Sequence, residues 1–169
     1  MSAVYLLVVL LLPLVSPNFN LQQLMTSVCQ QYLGKWYEIE KLPAAFERGK
    51  CIEANYAIRK DGTIQVLNSQ TSFRTAEGTA VVQDLREPCQ TWITPYSPYL
   101  VLTTDYTTLS VVYSCTDILR LFHVEYAWIL GRSRFLPPET VRYAKNLLIS
   151  EGIDLFRMKA TDQMGCKDY

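Results

Sequence analysis

The chain has one histidine, His123, and five cysteines with no C-x-x-C pair among them. The single histidine argues against His-based catalytic triads and most metal sites, and the scattered cysteines argue against zinc clusters, whose ligands come in close pairs. An excess of charge of either sign is also missing. Lys plus Arg number 16 and Asp plus Glu number 16, a formal net charge of +0, so the basic footprint that nucleic acid calls for is absent. No N-x-Ser/Thr sequon occurs, so N-glycosylation is not expected. No apolar run is long enough for a spanning helix, because the one over 4–15 is too short. As a secretory core segment it fits. Residues 1–17 are therefore expected to be a signal peptide and 18–169 one domain, secreted and extracellular. In that compartment widely spaced cysteines read as disulfides.

What the chain does hold begins with Leu33-Gly34-Lys35-Trp36-Tyr37-Glu38-Ile39-Glu40. Gly34 permits a tight turn into it. Trp36, Tyr37 and Ile39 are interleaved with charged residues, as in a strand with one face to bury. Trp36 at the head of that strand has the size to plug the end of a closed sheet. Strands are predicted over 33–41, 51–58, 64–68, 73–82, 91–95, 99–106, 109–116 and 121–130, with Asp61-Gly62 as the strongest hairpin turn. Pro137-Pro138-Glu139 opens a helix, Val141, Ala144, Leu147 and Leu148 form its apolar stripe, and Gly152 stops it. A short last strand is predicted over 153–158. This order predicts an all-β fold, an eight-stranded up-and-down antiparallel barrel with one C-terminal α-helix packed outside. Such a barrel has room inside for one small ligand. The long loop over 42–50, apolar in part, reads as a lid.

Period-two alternation groups Ile52, Ala54, Tyr56 and Ile58 on one face, Ile64, Val66 and Asn68 on another, and Val124, Tyr126, Trp128 and Leu130 on a third. The alternate positions carry Glu53, Asn55, His123 and Glu125, so the apolar sets are expected to face inward and His123 outward. Inward aromatics fit a solid core and a cavity wall alike. Asp105, in a turn, is expected to accept backbone N–H groups.

Gly34-x-Trp36, then Thr104-Asp105-Tyr106, then Arg132 after the strand bearing Trp128, resemble in content and order the three signatures of the lipocalins. The resemblance implies a carrier that binds a small hydrophobic ligand, a fatty-acid-like or steroid-like lipid, in its barrel cavity, with no catalysis, cofactor or metal. It implies that Gly34, Trp36, Thr104, Asp105, Tyr106 and Arg132 close one barrel end, with Arg132 stacked over Trp36, a cation–π contact of about 0.5–2 kcal/mol. Tyr56, Asn68, Val124, Tyr126, Trp128 and Leu130 are then the ligand-binding candidates, with Tyr56 and Asn68 meeting the ligand's polar end. The apolar walls would bind by desolvation, at about 25 cal/mol per Å².

The resemblance also implies a Cys51–Cys166 disulfide and a second one from Cys115, for which Cys29 is the candidate and Cys89 competes. Five is odd, so one cysteine is left as a free thiol or as an intermolecular disulfide partner. A lipoprotein or membrane surface, met through Phe46 and its loop, is a further candidate partner. Two alternatives stand beside the carrier. One is a thiol enzyme that modifies lipids or removes oxidants. The other is a compromised barrel, because 69–98 is short for the pattern.

Overall fold

Alternation of apolar and polar residues produces seven long strands: β1 (Gly34–Lys41), β2 (Glu53–Ile58), β3 (Ile64–Gln70), β4 (Arg74–Ala80), β5 (Leu100–Thr104), β6 (Leu109–Ile118) and β7 (Phe122–Gly131). The structure, a computed structural model, describes residues 30–44, 49–61, 63–71, 74–80, 99–118 and 122–167. The chain divides into two units, Met1–Tyr32 and Leu33–Tyr169, and the strands lie in the second. All neighbours are antiparallel, in the order β4-β3-β2-β1-β7-β6-β5. The first strand of the meander thus pairs with the last, which is what rolls the sheet up. Tyr56 of β2 reaches Tyr99, just ahead of β5, with its hydroxyl 2.5 Å from the other, although β1, β7 and β6 lie between them along the sheet. Residues 81–98 join β4 to β5. The strand expected over 91–95 falls among them, outside the described residues, as do the expected signal peptide and residues 45–48 of the expected lid.

The rolled sheet has two different faces. Outside, Leu109, Val111 and Tyr113 of β6 and Ala127 and Ile129 of β7 form a core with Ala144 and Leu148 of the helix α1 (Pro138–Ser150). Val141 and Leu147 pack at its margin. Pro138 at the helix start costs no hydrogen bond there, and Glu139 in the first turn suits the helix dipole. The four stripe residues thus meet the barrel's outer surface, and the fold is the eight-stranded antiparallel barrel with one external helix.

The short last strand is not where alternation placed it. Over 153–158 the backbone turns instead. The Ile153 amide donates to Leu148 O at 3.0 Å, capping the helix. The Asp154 side chain accepts from the Phe156 amide at 2.9 Å, and Met158 N donates to Leu155 O at 2.9 Å. A carboxylate that binds its own backbone two residues on competes with strand pairing. Pairing resumes at β8 (Lys159–Ala160), where Ala160 faces Glu40 and Lys159 faces Lys41 of β1.

The tail then fills the place where β2, paired with β1 only along Gly34–Tyr37, has left. Cys51 N donates to Asp162 O at 2.8 Å. The Gln163 amide donates to Glu38 O and Ile52 O, each at 2.8 Å. Cys51 and Cys166 are joined by a disulfide with Cα atoms 5.5 Å apart. The bond closes a loop with a sequence separation of 115 residues, and long loops gain most from closure. Replacing both cysteines by serine is expected to cost about 2–5 kcal/mol of unfolding free energy, read as a lower denaturation midpoint in urea. An unchanged midpoint would show that the tail is held by its hydrogen bonds alone.

Candidate functional site

Register decides what faces the barrel interior. In β2, Ala54 lies opposite Trp36 and Asn68, and Tyr56 lies opposite Gly34 and Val66. In β7, Val124, Tyr126, Trp128 and Leu130 lie opposite Thr116, Ser114, Val112 and Ser110 of β6. Since Ala127 and Ile129 belong to the outer core, their even-numbered neighbours line the inside. All six ligand-binding candidates therefore sit on the inner face.

The structure gathers three of them into one aromatic wall. The Tyr126 and Trp128 rings stack with centroids 5.7 Å apart, and Trp128 stacks on Tyr99 at 6.4 Å. Tyr56 follows at 6.2 Å from Tyr99, with the two hydroxyls in hydrogen-bond contact. Asn68 and Val124 are half-buried and Leu130 buried on the same inner surface. Beside this wall, the neighbouring β6 presents Ser110, Val112 and Ser114, all buried and paired with Leu130, Trp128 and Tyr126, smaller residues where β7 is large. Tyr99 had no role in the sequence reading. It stands one residue ahead of β5, where no alternation yet tells inward from outward.

A second feature escapes the sequence for a different reason. Strict alternation along β1 would put Trp36, Glu38 and Glu40 on one face. A register shift between Glu38 and Glu40 breaks it. Glu38 faces Leu130, Glu40 faces Ile129, and Lys41 faces Trp128. Glu40 consequently points outward and pairs with Lys145 of α1 at 2.7 Å, while Lys41 turns in. Its ammonium lies 3.0 Å from Glu38 Oε1. Glu38 is 2% exposed and Lys41 9%, and the Thr161 hydroxyl from the tail donates to the same carboxylate. This is a buried ion pair on the inner wall, beside Trp128.

A separate constellation gathers around Trp36. Trp36 is fully buried, and the Arg132 guanidinium lies over its ring at 3.8 Å. Arg132 Nη1 donates to Lys35 O at 2.8 Å and Nε to Tyr106 O at 2.9 Å. Gly34 has φ +89° beneath it, a conformation that side chains resist, and a Cβ there would stand 3.5 Å from the guanidinium. The Thr104 hydroxyl donates to Leu109 O and accepts from Tyr106 N, at 2.9 and 3.0 Å. Asp105 Oδ1 accepts the amides of Thr107, Thr108 and Leu109 at 3.0, 2.7 and 2.9 Å. Partial burial pushes its pKa up, but the three backbone donors outweigh that and hold it below the ordinary carboxylate value.

The remaining chemistry-bearing residues are engaged elsewhere. His123 is exposed on the outer surface, 3.8 Å from Glu125. Tyr113, also on the outer face, donates to Glu125 at 2.6 Å. Burial, then that carboxylate, raises the phenol well above its usual pKa, so it stays a donor. Cys115 is disulfide-bonded, and its partner lies outside the described residues, as do Cys29 and Cys89. Among the described residues no group of three His, Cys, Asp or Glu is placed to hold a metal.

Removing the Arg132 side chain takes away the stacked cation and two charge-assisted hydrogen bonds. Arg132→Ala is expected to cost about 2–4 kcal/mol in guanidinium unfolding, with Arg132→Lys recovering only part, since an ammonium lacks the planar fork. Asp105 gives a test by pH. Its folded pKa is lowered, so its contribution is full above the unfolded value, 3.8, and is lost as pH falls through the folded one. Asp105→Ala should therefore lower the thermal midpoint at neutral pH, and the gap should narrow as the solution is acidified below that value.

A family model described as "Lipocalin-like domain" matches residues 28–163. Among curated proteins the chain is 44% identical to apolipoprotein D of Cavia porcellus over 166 residues, covering 93% of this chain and 84% of that one. It is 29% identical to temperature-induced lipocalin-1 of Arabidopsis thaliana over 148 residues, covering 79% of this chain and 78% of that one. Among solved structures, lobster apocrustacyanin A1 superposes with a TM-score of 0.66 at 20% identity, covering 82% of this chain and 81% of that one, a likeness of fold. The fold, the constellation of Gly34, Trp36 and Arg132, and this match along most of its length lead to one conclusion: the chain belongs to the lipocalin family.

Proposed function

We propose that the protein is an extracellular carrier that binds one small hydrophobic molecule, fatty-acid-like or steroid-like, inside its barrel and transports it. The observation that carries this reading is the inward aromatic wall of Tyr56, Tyr99, Tyr126 and Trp128. Apolar walls with a few placed polar groups suit a lipid that is mostly hydrocarbon. The paired hydroxyls of Tyr56 and Tyr99 and the amide of Asn68 supply the polar contacts. Similarity to proteins named apolipoprotein D supports a lipid as the ligand class and secretion as the route. Disulfide bonding at Cys51, Cys115 and Cys166 suits an oxidising compartment.

Binding, not catalysis, is the reading the site supports. A thiol enzyme needs an ionisable cysteine at the ligand, and the three cysteines among the described residues are all in disulfides. Trp36 and Arg132 serve closure in this reading, Asp105 serves its turn, and the ligand meets the residues above them.

Fluorescence titration with a steroid such as progesterone tests the proposal. Saturable quenching of tryptophan emission is expected, and Trp128→Phe should remove most of the signal. Tyr56→Phe should weaken binding by roughly five-fold, the worth of one hydrogen bond of about 1 kcal/mol. Emission that stays unchanged with both a steroid and a fatty acid at saturation would sink the carrier reading.

A further inference from the structure

A groove on the outside of the barrel takes no part in the carrier reading. It runs along one flank of α1, between the helix and the segment over 153–158 that the Asp154 turn keeps from pairing. Its volume is about 420 Å³. Val141 of the helix and Leu155 and Met158 of that segment form its floor, half-buried at the margin of the outer core. Ile149 extends the floor and is 60% exposed. The lining follows the helix from Pro138 to Ile149, a flank about 16 Å long at 1.5 Å per residue. Two cations, Arg142 and Lys145, belong to the lining, and none of the lining side chains is acidic. Lys145 is held to Glu40 at 2.7 Å, so its charge is already met. Arg142 is exposed and is the cation open to an incoming group.

We propose that this groove is a second ligand site, outside the barrel, for a free fatty-acid carboxylate of medium chain length. The hydrocarbon lies along Val141, Ile149, Leu155 and Met158, and the Arg142 guanidinium binds the head group. Covering Ile149 and the half-buried floor removes apolar surface from water, which is what drives an alkyl chain into such a groove. Met158 has the flexibility to follow the chain's shape. A guanidinium matches a carboxylate with two parallel hydrogen bonds. A folded protein partner needs a far larger face than this flank offers, whereas one extended acyl chain fits its length. A second groove beside the same helix marks the role of charge. It is similar in size, about 440 Å³, but its lining includes Asp105 and Glu139 and no cation, so it repels the anion that the first one attracts. The α1 site and the barrel interior are separate, and each is tested without the other.

Dodecanoate is ionised at about pH 8. Titrated into isotope-labelled protein and followed by amide NMR, it should produce saturable shifts over 141–149 and 155–158. Dodecyltrimethylammonium has the same chain and the opposite charge, and should leave those amides in place. Arg142→Glu should weaken dodecanoate binding at α1 about five-fold or more, while amides of β2 and β7 along the inner wall respond as in the parent chain. Ile149→Asp should weaken the same site through its floor. Both side chains are exposed, so these variants leave the core intact.

Shifts confined to the inner wall would overturn the proposal and leave the carrier reading standing. So would an α1 isotherm that Arg142→Glu does not change, or equal α1 shifts with the cationic amphiphile. Shifts confined to α1 would support the outer site and count against the carrier reading. No saturable shift at either place would overturn the outer site, and the tryptophan titration above would then decide the inner one.

Discussion

Three stretches of the chain that are far apart in sequence meet at Trp36, and their meeting hangs on one side chain. Arg132 leaves β7 and lies flat on the indole of Trp36. It also donates to a carbonyl of β1 and to one in the turn between β5 and β6. Three separate chain segments are thus tied by one guanidinium. An indole face and two carbonyls satisfy a planar cation with several donors better than any other residue type would permit. Gly34 must have no side chain for the strand to begin beneath it, and Asp105 must gather three amides for the turn to present the Tyr106 carbonyl.

The parts of this arrangement that depend on residue type and period were legible in the sequence. Trp36 behind Gly34, the Thr104-Asp105-Tyr106 turn and Arg132 are separate signals, and each chemistry has few substitutes. Tyr56 and Trp128 fall on the inner face because alternation runs unbroken through β2 and β7. The apolar stripe of α1 meets the sheet as its period requires. Legibility ends where the chain departs from its period. One register shift in β1 reverses the facing of everything after Glu38, so Lys41 and Glu40 exchange sides and the internal ion pair cannot be read from spacing. Residues 153–158 alternate like a strand, yet Asp154 binds its own backbone and turns them. Tyr99 precedes its strand and has no neighbour to fix its direction. Each case is a local interaction or a tertiary pairing that outweighs a one-dimensional pattern.

The inner surface is more polar than a carrier of hydrocarbons strictly requires. Tyrosine hydroxyls, two serines and an ion pair share the space with the aromatic rings. Buried groups of this sort are tolerated only when partnered. Here Tyr56 has Tyr99, and Glu38 has both Lys41 and Thr161. A wall whose polar atoms are satisfied among themselves does not demand polarity from its guest. An apolar molecule lying against such a wall leaves no donor stranded.

The seam between β1 and β2 has a consequence for how the molecule is made. Gln163 grips both strands at once, donating to Glu38 and Ile52 and accepting from Arg134 at 2.9 Å. Its partners on those strands lie 125 and 111 residues earlier. A chain emerging from its amino end can pair β1 with β2 early, because their contacts are local. It cannot finish the wall until β8 and the residues after it are available, since these supply the missing staves. Closing a loop of that span carries an entropic cost and comes late. Until then the gap beside Glu38 stays open. The wall beside Glu38 is thus completed by a segment that lies 125 and 111 residues after the strand positions it joins.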